Sequence, residues 1–195
     1  MVAVGGGVGC RYADEMKTYV ALFRGINVGG RNLLPMNELV AMLENMGLRN
    51  VETYIQSGNV VFQSEGTNAS LLADTISAAI NKRRGFEPQV LLLEPEQIEK
   101  AVAENPFPEA ESEPKTLHLY FLSSVPRSRD LVALQSIKGK SERFVLKDGV
   151  FYLYAPYGIG RSKLTANAEK LLGVSMTGRN WRTVCKIAEM AQQCG

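Results

Sequence analysis

The heptapeptide Tyr157-Gly158-Ile159-Gly160-Arg161-Ser162-Lys163 is the stretch of this sequence best suited to hold an anion. Its glycines let backbone N–H groups approach a ligand, and a helix expected to start near Ser162 presents its positive end there. Arg161 adds a planar, bidentate cation and Lys163 a point charge, so phosphate or carboxylate would be held well. The spacing is not the G-x-x-x-x-G-K-[ST] of a P-loop. A glycine-rich strand-to-helix connection with a Ser162 cap and two solvated bases accounts for the same residues without a ligand. Thr177-Gly178-Arg179-Asn180 offers a second positive helix end, where a plain N-cap followed by Trp181 as a core anchor is the simpler reading.

Two further segments, Arg24-Gly25-Ile26-Asn27 and Gln56-Ser57-Gly58-Asn59, are rich in side-chain amides and contain glycine. Amides both donate and accept, which suits a binding edge. The same residues also satisfy the backbone of turns, and the sequence leaves both readings open.

Other chemistry fails on residue type or spacing. Ser57 lacks the glycine two positions before it that a nucleophile elbow requires; Ile55 stands there. His118 alternates with its neighbours in LHLYF and is expected on a strand face, half-buried and satisfied. Cys185 falls on the apolar side of a helix and reads as a small hydrophobe. Cys10, Cys185 and Cys194 are an odd number with no metal-ligand spacing, and with a single histidine they form no zinc set. No paired carboxylates suited to acid–base work and no dinucleotide fingerprint are found, so no cofactor or metal is expected.

These candidates need elements to position them. Thr18–Phe23 is β-branched and aromatic and apolar on both faces, as in a central strand. A glycine-containing loop, residues 24–34, leads through Pro35 to a helix carrying Met36, Leu39, Val40, Leu43 and Met46. Val51–Ile55 and Asn59–Gln63 are two strands joined by a tight turn. Asn68 caps a helix ending near Gly85, and Gln89–Leu93 is a further strand. The order β-α-β-β-α-β is that of a ferredoxin-like unit. In such a sheet the loop after the first strand and the turn between the second and third share one end. Arg24–Asn27 is therefore expected beside Gln56–Asn59.

Residues 95–114 read as a short acidic helix (Pro95 to Glu104) and a linker rich in Pro and Glu. The pattern then starts again. Leu117–Leu122 is a strand, Asp130–Gln135 a short helix, and Glu142–Leu146 and Val150–Tyr154 a hairpin around Lys147-Asp148-Gly149. Lys163–Leu172 is a helix stopped by Gly173, Val174–Met176 a last short strand, and about Asn180 to Gln192 an amphipathic helix. The expected fold is α+β: two ferredoxin-like subdomains, 16–94 and 115–195, joined by 95–114, with residues 1–15 a disordered extension and Met16 a candidate natural start.

At 195 residues with 45% hydrophobic and 22% charged residues, the chain has an ordinary globular composition. No apolar run approaches the roughly 18 residues of a membrane span, and no secretory signal is present, so a reducing cytoplasm is the expected location. The net charge of +2 hides an imbalance. Residues 1–113 hold nine Lys/Arg against fifteen Asp/Glu, a net of −6, and residues 114–195 hold thirteen against five, a net of +8. A basic half can face an anionic partner; the two halves can equally attract each other.

The stretches YVALFRGINVGG, LPMNEL, TYIQSGNVVF, GIGRSKL and TGRNWRTV resemble, in order from about Lys17 to Met190, the signature of the bacterial family catalogued as domain of unknown function 1697. The resemblance implies two ferredoxin-like subdomains in one compact protein. It supplies no substrate, cofactor or catalytic residue. Its signature positions here are Arg24, Gly25, Asn27, Gly29, Gly30, Gln56, Ser57, Gly58, Asn59, Gly160, Arg161, Ser162, Lys163, Arg179, Asn180 and Trp181.

The first functional expectation is binding of a small phosphorylated or nucleotide-like ligand, through Gly158, Gly160, Arg161, Ser162 and Lys163. The Arg24, Asn27, Gln56, Ser57, Asn59 edge and Arg179 with Asn180 are expected to assist. The second is nucleic-acid binding by the basic half, with Tyr152, Tyr154 and Tyr157 as stacking surfaces, although Val60-Val61-Phe62 does not match an RNA-recognition strand. The third is an enzyme acting on a phosphorylated substrate by electrostatic stabilisation.

Overall fold

The computed structural model describes residues 16–66, 68–126 and 130–195. Its first strand, β1 (Met16–Arg24), is apolar on both faces because both faces are covered. Tyr19, Ala21 and Phe23 point into a core made with α1 (Met36–Asn45) and α2 (Ala69–Arg84). Val20 and Leu22, alternating with them, point the other way. With β2 (Arg49–Tyr54), β3 (Asn59–Glu65) and β4 (Gln89–Leu93) the first sheet is antiparallel in the order β2-β3-β1-β4.

The chain then forms α3 (Pro95–Ala103), opened by a reciprocal cap between Glu94 and Gln97, and one 3₁₀ turn at Pro108–Ala110. The second half contains β5 (Leu117–Leu122), α4 (Leu131–Ile137), β6 (Arg143–Lys147), β7 (Val150–Tyr154), α5 (Lys163–Leu172), β8 (Met176–Asn180) and α6 (Trp181–Cys194). Its sheet is antiparallel, in the order β6-β7-β5-β8. The fold is thus mixed α+β, with two four-stranded antiparallel sheets and six α-helices among the described residues.

One core is common to the two halves. Val20, Leu22 and Val61 from the first sheet meet Leu119, Phe121 and Tyr152 from the second, with Ile98 of α3 and Trp181, Val184 and Ile187 of α6 packed among them. Tyr120, Phe151 and Leu153 face outward onto a third core with α4 and α5. The double burial of the first sheet explains why its central strand β1 reads as a continuous apolar run.

The end of the second half differs from the expected elements. Val174–Met176 is not the last strand; β8 starts at Met176 and runs through Thr177-Gly178-Arg179-Asn180, so α6 starts at Trp181. Local propensity gave these residues to a helix start, but β5 offers them a partner. Leu119 pairs with Arg179 and Tyr120 with Gly178, which satisfies backbone groups that a loop would leave to solvent.

Part of the charge imbalance is met inside the chain. Lys147 pairs with Glu104 at 2.9 Å, while the Lys100–Asp148 pair, at 2.8 Å, joins the halves in the opposite sense of charge. Arg143 pairs with Glu109 and stacks on Phe107 and Tyr154, 5.0 and 4.6 Å from their ring centres. The residues expected to form an N-terminal extension, Cys10 among them, lie outside the described residues. No helix among those described is long and apolar enough to cross a membrane.

Candidate functional site

The loop after β1 is closed on itself by two asparagines held at positive φ. Asn27 donates from Nδ2 to the Leu34 and Gln56 carbonyls, both at 2.9 Å, and accepts from the Leu34 amide at 2.8 Å. Asn32 donates to the Gly25 carbonyl at 2.7 Å. The loop is pinned to the β2–β3 turn, where the Phe23 amide donates to the Gly58 carbonyl at 2.8 Å. Gly58, at φ +70°, permits that approach: a Cβ there would lie 2.6 Å from Phe23 Cβ and from Ile26 Cδ1. The two amide-rich segments do meet. Asn27 and Asn59 spend their side chains on holding the turn, while the Gln56 side chain is exposed.

Two arginines tie this edge to the second half. Arg179, on β8, donates through Nη2 to the carbonyls of Phe23 at 2.8 Å, Ser57 at 3.0 Å and Gly58 at 3.3 Å. Its Nε donates to Asn59 Oδ1 and its Nη1 to the Gly178 carbonyl at 2.9 Å. Burial pushes its pKa down to about 10, so it stays charged at neutral pH. Arg24 forms a two-pronged pair with Glu169 of α5. Burial pushes the Glu169 carboxyl up, but the Arg24 guanidinium and the Met176 amide together outweigh it and hold the group below its ordinary value.

Between these ties lies a cleft of about 560 Å³. Arg24, Ile26, Ile55 and Ser57 line it from the first half, and His118, Tyr120, Thr165, Glu169 and Arg179 from the second. Among the described residues, three buried side-chain polar atoms have no hydrogen-bond partner: His118 Nδ1, Tyr120 Oη and Thr165 Oγ1. All three residues line this cleft. His118 and Tyr120 are two apart on β5 and share a face, and Thr165 neighbours Tyr120 without forming a bond of ordinary geometry to it. Burial lowers the His118 pKa and keeps the imidazole neutral; burial raises that of the Tyr120 phenol, which Thr165 partly opposes.

The expectation that His118 is a satisfied strand residue is therefore corrected: it is half-buried, but Nδ1 is left bare. Sequence reasoning missed Tyr120 and Thr165 altogether. The usable signal was a polar pair at i and i+2 on a strand whose other face is wholly apolar.

The glycine-rich loop stands at one side of the cleft. Ile159 lines it, whereas Gly158, Gly160, Arg161 and Ser162 line an adjoining groove of about 490 Å³ that also contains Glu142. Ser162 Oγ accepts from the Thr165 amide at 3.2 Å as the cap of α5. Arg161 and Lys163 are exposed and pair with no carboxylate among the described residues. Lys163 lies two helix positions from Thr165, and so points away from the cleft. Asn180 lines the cleft but spends its side chain capping α6, accepting from the Thr183 amide at 2.9 Å.

Of the three tyrosines considered as stacking surfaces, Tyr152 is buried and donates to the Ala101 carbonyl at 3.1 Å, and Tyr154 packs on Phe107. Tyr157 alone is open, at 91% exposure. No group of three or more His, Cys, Asp or Glu among the described residues could hold a metal ion.

Residues 16–152 match the model of the family described as Protein of unknown function (DUF1697). The match ends within β7, so the motifs around Arg161 and Arg179 lie beyond it. A conserved bacterial protein, SP0830 from Streptococcus pneumoniae, has a similar structure. It is 27% identical, with a TM-score of 0.67, over 91% of this chain and 99% of that one. No curated protein matches the chain.

Proposed function

The chain belongs to the family of proteins of unknown function DUF1697, and from that premise we propose that it binds a small phosphorylated or nucleotide-like ligand in the cleft between its two halves. One observation carries the reading: the three buried polar atoms without partners, His118 Nδ1, Tyr120 Oη and Thr165 Oγ1, all belong to residues that line one cleft. A buried polar group without a partner costs about 1–3 kcal/mol, so three in one place mark a surface that a ligand or ordered water completes. The cavity falls in the size range of small-molecule sites, and it lies between two packed halves, where such sites concentrate.

Charge supports an anionic group on the ligand. Arg24 and Arg179 are engaged within the protein, but Arg161, beyond the wall formed by Ile159, pairs with no carboxylate among the described residues. A phosphate carried over that wall would reach Arg161 and the start of α5. We read each half as a ferredoxin-like unit, with boundaries near 16–94 and 115–195. The β-α-β-β-α-β order and the sheet orders β2-β3-β1-β4 and β6-β7-β5-β8 support this.

The test is a thermal-shift screen of the full chain with nucleotides, sugar phosphates, inorganic anions and short oligonucleotides. A ligand at 100 times its Kd should stabilise by about 2.7 kcal/mol, a rise of several degrees. A small phosphate that loses this effect in Arg161→Ala and in His118→Ala supports the reading. A response to oligonucleotides only, fading with salt, would replace it by nucleic-acid binding.

A further inference from the structure

We infer that the part of the ligand seated on the cleft wall is an uncharged, planar heterocycle with both donor and acceptor groups on its edge, of the nucleobase kind. This rests on the cleft being the binding site. It goes further by dividing the ligand: the base lies inside, and any phosphate outside.

The cations nearest the wall are already spent. Arg24 gives two bonds to Glu169, and Arg179 gives five to Asn59 and to the carbonyls of Phe23, Ser57, Gly58 and Gly178. A phosphate pressed against β5 would meet no free guanidinium and would displace part of the tie between the halves. The free groups are of another kind: one imidazole and two hydroxyls, all neutral at physiological pH. Hydroxyls donate and accept, and a neutral imidazole does one at each nitrogen, so the set matches an edge that mixes N–H with carbonyl or ring nitrogen.

The rest of the cavity suits a flat ring. Val28, Ile55 and Ile159 give it an apolar lip, and Val28 and Ile55 are 68% and 53% exposed. Ile55 is held there at φ +49°, a left-handed conformation that a β-branched residue rarely adopts. The position of Tyr120 is equally built. Its ring lies against Gly178, where a Cβ would come 2.4 Å from Tyr120 Cε1. Tyr120 is only 9% exposed, and its hydroxyl is a buried atom without a hydrogen-bond partner at the cleft wall.

The experiment measures binding of adenosine, guanosine, cytidine, uridine, ribose 5-phosphate and inorganic phosphate to the full chain by calorimetry. His118 is the single histidine, so its ring signals in NMR report the wall directly. At least one nucleoside is expected to bind and to move those signals, and Tyr120→Phe, which keeps the ring, should weaken it about tenfold. Binding of ribose 5-phosphate or phosphate with no response to any nucleoside would overturn this inference and leave the proposed function standing. A nucleoside that binds with the His118 signals unmoved and with unchanged affinity in Tyr120→Phe would also overturn it. If neither these probes nor the corresponding nucleotides bind, both readings fall together.

Discussion

Arg179, on the last strand of the second sheet, donates through Nε to the side-chain oxygen of Asn59, the first residue of β3 in the first sheet. Asn59 is wholly buried and passes its amide hydrogens to Ser57 Oγ at 2.9 Å and the Tyr54 carbonyl at 3.1 Å. Through this pair one charged side chain fixes the turn that borders the cleft to the strand that forms its opposite wall.

Arg179→Ala is expected to cost about 3 kcal/mol or more, because it strands Asn59 and three carbonyls that are now bonded. Arg179→Lys should recover only part of this, since an ammonium cannot reproduce the fork. Denaturant unfolding measures both. A double-mutant cycle with Asn59→Ala should give a coupling of about 1 kcal/mol or more.

Gly178→Ala should destabilise by about 1–3 kcal/mol through overpacking, since the new methyl meets the Tyr120 ring. The near-ultraviolet spectrum should change with it. If Gly178→Ala unfolded at the wild-type midpoint, the Tyr120 placement described above would be wrong.

The His118 imidazole should titrate below its ordinary 6.5, because burial disfavours its charged form. As pH falls below 6.5 the unfolded chain takes up this proton more readily than the folded one, so stability should fall with pH until the folded imidazole also protonates. Above 6.5 the contribution is constant. Stability profiles of wild type and His118→Gln, set beside the NMR titration, isolate it.

Ile55→Gly relieves a left-handed backbone at a half-exposed site. It should raise stability by about 1 kcal/mol and at the same time weaken the ligand, whose apolar lip it removes. Melting temperature and affinity should thus move in opposite directions.

Much of the scaffold was legible in the residues. The double apolar faces of β1, the Asn68 and Ser162 caps, the Lys147-Asp148-Gly149 hairpin and the Gly85 and Gly173 stops are local signals, and each appears in the structure. The meeting of Arg24–Asn27 with Gln56–Asn59 followed from element order alone, because order fixes which loops share a sheet end. The family too was legible from its motifs.

The cleft was not. Glycine and cations beside a helix start are visible in one dimension, so Arg161 and Lys163 stood out in the sequence, and they lie outside the cleft. Arg179 looked like part of a helix start because its strand partner, Leu119, is sixty positions away. His118 and Tyr120 looked like ordinary strand residues because a bare polar atom is a statement about neighbours, and theirs come from α5, β8 and the opposite half. Sequence determines which groups can hydrogen-bond and which backbone each residue prefers. Whether a given polar atom finds its partner depends on how the two sheets pack through α3 and α6, and only the tertiary structure decided that.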